Sequence, residues 1–223
     1  MSFLSRLFGS KDEPAKPAKP AGRLTQRLER LEEEAQNAAP GYVGTSYNRA
    51  GDVALKEGDT GRAMAYYGRA IDAFLEDEQP EAARGVANKI IRLRPHAVRT
   101  LCTLMWLDLA AKHSATALLH LRDYVASAKE AKQFALAAGQ IYEMARIVPD
   151  PEVLGAIADA LDGLDFAQRA VEVREWENEG GSPDVVKDPD ALAMACLKAA
   201  ARSNERSKSP EDAKDSTEAR PKA

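Results

Sequence analysis

Three histidines, two cysteines and one loop with paired glycines are the points at which this chain could do chemistry. Metal binding would need His, Cys or carboxylate groups at ligand spacing. His96 follows Pro95, His113 stands beside Ser114 at a helix boundary and His120 lies inside a helical run, none with such a neighbour. Cys102 and Cys196 are far apart in helix-like surroundings, which gives no disulfide framework. Gly58 to Gly61 offers glycines of the kind that cradle phosphate, yet it follows a helical run and carries no Gly-Lys-Ser/Thr ending. Dinucleotide, His-Glu-x-x-His and nucleophile-elbow patterns are missing from the sequence. The chemistry these residues offer is therefore structural, and the reading is of a non-catalytic protein with no cofactor or metal.

Charge narrows the partner. A net charge of −4 and a pI near 5.6 argue against nucleic acid, because affinity for phosphates needs a basic field. Arg84, Lys89, Arg92, Arg94 and Arg99 do gather, behind an acidic group of Asp72, Glu76, Asp77, Glu78 and Glu81. Acids early and bases late on a helix from Pro80 to Leu93 complement its dipole. Docking of an acidic partner is the other use of the cluster. No run approaches the roughly 20 apolar residues of a spanning helix. The start, Met1 to Gly9, lacks the apolar core of a secretory signal, so the cytoplasm is the default location.

The elements that would position these residues are helices. Asn48 to Ile71 reads as two helical runs broken at Gly58-Asp59-Thr60, a helical hairpin with small and aromatic residues on its inner face. Tyr47, Gly51, Gly58, Ala63, Tyr67, Ala70 and Ile71 stand at the spacing of the tetratricopeptide repeat, which this stretch resembles. Ala54 and Ala50 depart from it, standing where the family has Tyr and Leu. The resemblance implies an all-α fold, a right-handed solenoid of antiparallel helical hairpins whose concave face holds a protein or peptide.

Offsetting the chain by 54 residues aligns Leu55 with Leu109, Thr60 with Ser114, Ala63 with Ala117, Gly85 with Gly139, Arg92 with Arg146 and Pro95 with Pro149. The repeat domain is thus expected over 41–178, as units 41–95 and 96–149 and a partial unit 150–178, each full unit of about three helices. Thr60 and Ser114 are suited to N-capping. Pro80 suits a first helical turn, and Pro95 and Pro149 stop the helices before them. Gly85 and Gly139 cost about 1 kcal/mol inside a helix, which predicts close helix contact there.

At the ends, Phe3, Leu4, Leu7 and Phe8 form a short amphipathic patch, fit to tether a membrane surface or a partner, or else to fray. A Lys/Pro/Ala linker completes residues 1–22. Residues 23–39 carry a stripe of Leu24, Leu28, Leu31 and Ala35 that predicts a capping helix, self-association being its other use. Residues 179–223 read as a loop, a short helix from Asp190 to Ala201 that folds back on the array or docks elsewhere, and a charged tail with too little apolar surface to fold.

Carrying the family's groove positions onto this chain selects Thr45, Asn48, Asp52 and Lys56, and 54 residues later Arg99, Cys102, Trp106 and Ala110. Of these, Asn48, Asp52, Lys56, Arg99 and Trp106 are the candidate partner-binding residues. Trp106 sits in an apolar run from Leu101 to Leu107, which equally fits a buried helix. The implied function is an adaptor or scaffold for a partner protein or peptide, with oligomeric state open. The other reading is a membrane-proximal assembly factor held by Phe3, Leu4, Leu7 and Phe8.

Overall fold

The computed structural model describes residues 21–206; the Phe3 to Phe8 patch and residues 207–223 of the charged tail lie outside them, while the start of that tail, 202–206, extends the helix expected from Asp190 to Ala201. Among the described residues there are ten helices and no strand: α1 (Ala21–Gln36), α2 (Val43–Lys56), α3 (Thr60–Glu76), α4 (Pro80–Leu93), α5 (Val98–Ala110), α6 (Ser114–Glu130), α7 (Phe134–Ile147), α8 (Pro151–Gly163), α9 (Ala167–Glu179) and α10 (Pro189–Arg206). Consecutive helices from α1 to α9 pack in order. α1 buries Leu28, Leu31 and Ala35, chiefly against α2.

The 54-residue offset recurs in the backbone itself. α3 and α6 begin 54 residues apart and end 54 apart, as do α4 and α7. The turns repeat too: Gly58 (φ 86°) matches Lys112 (φ 61°), and Glu78 (φ 54°) matches Lys132 (φ 58°). Only glycine adopts that left-handed conformation without steric cost, so three of these four turns are held by what flanks them. The third copy follows at a step one residue shorter, because three residues rather than four join α7 to α8: Gly163 ends α8 53 residues after Ala110 ends α5, and Asp165 (φ 68°) follows Lys112 by 53. Arg94 and Val148, each before a proline, are extended and end α4 and α7.

Two local expectations are corrected. The N-cap of α3 is Asp59, whose carboxylate accepts from Arg62 N at 2.9 Å, while Thr60 is already helical. His113 likewise precedes α6, and the Ser114 hydroxyl donates instead to Asp150 at 2.8 Å. The glycines at close helix contacts are not Gly85 and Gly139, where an added Cβ would meet nothing within 4 Å. They are Gly44 and Gly51, where it would fall 2.6 Å from the Phe74 ring and 2.5 Å from the Tyr67 ring. α2 and α3 lie close because those two rings occupy the space a side chain would need.

Helices two apart in the chain also touch, in an even series and an odd one. α2 meets α4 through Lys89, and α6 meets α8. Among odd helices, Glu32 of α1 bonds Tyr66 and Arg69 of α3, Arg99 of α5 pairs with Asp72 of α3 at 2.9 Å, and Tyr142 of α7 donates to Glu172 of α9 at 2.6 Å. α10 returns across the odd set, packing along α5 and touching α3 and α7. Each copy contains three helices, an odd number, so equivalent helices of successive copies join opposite sets.

Candidate functional site

The even side presents a polar network on α2 and α4. Lys89 Nζ donates to Asn48 Oδ1 at 2.9 Å and to Asp52 Oδ1 at 2.6 Å, and Tyr67 Oη donates to the same Asp52 oxygen at 2.7 Å. The Lys89 ammonium also stands 5.2 Å from the centre of the Tyr67 ring. Partial burial pushes the Asp52 carboxyl up, but the bonds from Lys89 and Tyr67 outweigh it and hold the group below the usual carboxylate range. Burial, then the hydrogen bond to Asp52 and the charge of that carboxylate, drives the Tyr67 phenol upward. Asp52 nonetheless keeps 51% of its side chain exposed. Lys56, one turn further along α2, is exposed as well.

Beside this network, where α4, α5 and α6 meet, opens a cleft of about 800 Å³ lined by Arg84, Asn88, Asp108, Lys112, His113 and His120 among others. Asp108 is 1% exposed at its base. One carboxylate oxygen takes Arg84 Nη1 at 3.3 Å and the other takes His120 Nδ1 at 2.7 Å. Arg84 Nη1 also lies 3.0 Å from His113 Nδ1. A guanidinium only donates, so that ring nitrogen accepts and His113 carries its hydrogen on Nε2. The buried acid is therefore satisfied, and exposed Lys112 and His113 with half-buried Asn88 are left to face a ligand. Asn88 of the cleft and Lys89 of the network are neighbours on α4.

The predicted groove residues do not share a surface. Asn48, Asp52 and Lys56 belong to the even side. Arg99 is tied to Asp72 on the odd side, and Trp106 is 3% exposed. Cys102, one turn from Trp106, is buried and its thiol meets the Ser203 hydroxyl of α10, Trp106 and Tyr124. The clustered bases separate likewise, Arg84 to the cleft, Lys89 to Asp52 and Arg99 to Asp72.

In the sequence the three histidines stand apart and Asp108 belongs to no motif. One signal was present: an acid within the apolar run Leu107 to Leu109 must find partners when buried. His113 stands just before α6 and His120 two turns into it, and both line the cleft. Among the described residues no group of three or more His, Cys, Asp and Glu is placed to hold a metal ion. No family model, curated protein or solved structure matches this chain.

Proposed function

We propose that this chain is a non-catalytic adaptor that binds a segment of a partner protein along its even side, from Asn48, Asp52 and Lys56 on α2 across Lys89 and Asn88 to Lys112 and His113 at the cleft. One observation carries the reading: Asp52 and Lys89 are partly exposed yet fixed to each other across two helices. Charged groups already held in place lose less freedom when a partner arrives, which favours recognition. The three-helix copies extend that surface by repeated local packing, as in tetratricopeptide-like solenoids, and we read this side as the concave one. The partner is a polypeptide rather than nucleic acid, and the setting is the cytoplasm.

Affinity capture from extracts of the source cell, comparing the full chain with an Asn48→Ala/Lys56→Glu/Lys112→Glu variant of unchanged circular dichroism, tests this. A protein retained by the first and reduced about tenfold or more by the second, about 1.4 kcal/mol of binding, supports the assignment. Equal retention by both chains rejects it.

A further inference from the structure

We infer that the cavity between α3, α4 and the start of α5 is a binding site for a small monocarboxylate with an apolar body, its carboxylate held at the N-terminus of α5. The cavity has a volume of about 340 Å³, and none of its lining residues belongs to the even-side surface, so the site goes beyond the adaptor reading. Its apolar part is Met64, Ile71, Ile90 and Val98. Gly68 of α3 lines it as well, and a Cβ added there would meet nothing within 4 Å. That glycine faces room for a ligand rather than a neighbouring helix.

The polar part is the first turn of α5. Ala97 at the N-cap has no side chain that could bond the first amides, and the N–H groups of Val98, Arg99 and Thr100 precede the first intrahelical bond, from Leu101 N to Ala97 O. All four residues from Ala97 to Thr100 line the cavity. An anion placed there meets unused donors and the positive end of the helix dipole. Thr100 adds a second and independent sign of a ligand. It is 7% exposed, yet its hydroxyl has no hydrogen-bond partner among the described residues. Thr103, three residues on and on the same face of α5, lines the cavity with it, which places the Thr100 side chain on that wall. Buried hydroxyls are nearly always bonded, and an arriving carboxylate oxygen supplies the missing acceptor.

Charge selects the sign of the ligand. Arg99 is held by both Asp72 oxygens, at 2.9 and 3.3 Å. His96 turns to α6, its Nδ1 3.2 Å from Ser127 Oγ and 3.9 Å from Glu130 Oε2. Arg94 is exposed and has no ion pair among the described residues. No Asp or Glu is among the described residues that line the cavity, so Arg94 leaves it positive in a chain of net charge −4. Size and polarity select the rest. At about 30 Å³ for each water-sized group, the volume suits about ten non-hydrogen atoms. A bare phosphate would gain nothing from Met64, Ile71 and Ile90, whereas an alkyl or aryl body is stabilised by covering them. Octanoate has that size and that chemistry.

Titrating the isotope-labelled full chain with octanoate at neutral pH, followed by NMR, tests this. The amides of Val98, Arg99 and Thr100 should shift along a saturating one-site curve. Octylammonium, the same body with the opposite charge, should bind at least ~10-fold more weakly. Gly68→Leu fills the cavity and should weaken octanoate at least ~10-fold. Thr100→Val keeps the side-chain shape without the hydroxyl and should weaken it about 10-fold, the share of one hydrogen bond to a charged group. Shifts that never saturate, equal affinity for the two amphiphiles, or undiminished binding by either variant overturn the inference. So does tighter binding of N-acetyl-leucine than of octanoate, which would give the cavity to the end of a polypeptide. Neither variant alters Asn48, Lys56 or Lys112, so failure here is distinct from failure of the even-side reading.

Discussion

The first and second copies have the same helix limits over α3–α4 and α6–α7 and left-handed turns at the same places, yet position for position they meet different surroundings. Asp52 on α2 is exposed and bonded to Lys89; its equivalent on α5, Trp106, is buried. The third copy, at its 53-residue step, puts Asp159 there, and that carboxylate is exposed and paired with Arg174. Acid, tryptophan, acid follows the alternation of sides that a three-helix copy imposes. The copies share helix limits and turns, while the surroundings of equivalent positions differ with the set each helix joins.

The largest test of that contrast is truncation at the paired positions. Trp106→Ala should cost about 3–5 kcal/mol by urea unfolding, since it empties a filled interior site. Asp52→Ala, at the equivalent position, should cost about 1 kcal/mol or less, as exposed ion pairs do. Similar losses would mean that the two sides do not differ as described.

Glycines sharpen it further. Gly51→Ala pushes a methyl group toward the Tyr67 ring and should destabilise by about 1–3 kcal/mol. Gly85→Ala meets open space in α4 and should stabilise by about 0.5–1 kcal/mol, read as a rise in Tm. A smaller effect separates the caps: Asp59→Ala should lose about 1 kcal/mol, and Thr60→Ala much less.

Acid titration probes the even side alone. Asp52 has a folded value below its unfolded one, so its contribution is present above the unfolded value and is lost as pH falls through the folded one. The stability margin of the unaltered chain over Lys89→Met should therefore stand at neutral pH and close below about pH 4. A margin independent of pH would detach Lys89 from Asp52.

Much of the helix order was legible because proline, glycine and capping residues act locally. Pro80, Pro95 and Pro149 bound helices where the sequence placed those bounds, and Gly58 turns as expected. The close approach at Gly44 and Gly51 was not legible, because it depends on the Phe74 and Tyr67 rings of the next helix. The sharing of Asn48 and Asp52 with Lys89, 41 and 37 residues away, required knowing that α2 and α4 lie side by side. A period of 54 residues announces recurrence but hides its parity; helices must be counted before Trp106 can be assigned a side.

That parity limits how such a molecule can grow. An added three-helix module would bring its opening helix to the side where α5 needs shelter, while a pair of modules would restore the starting aspect at the terminus. Lengthening in single steps would therefore demand a fresh shield at each second step, and lengthening in twos would carry the same demand once per pair.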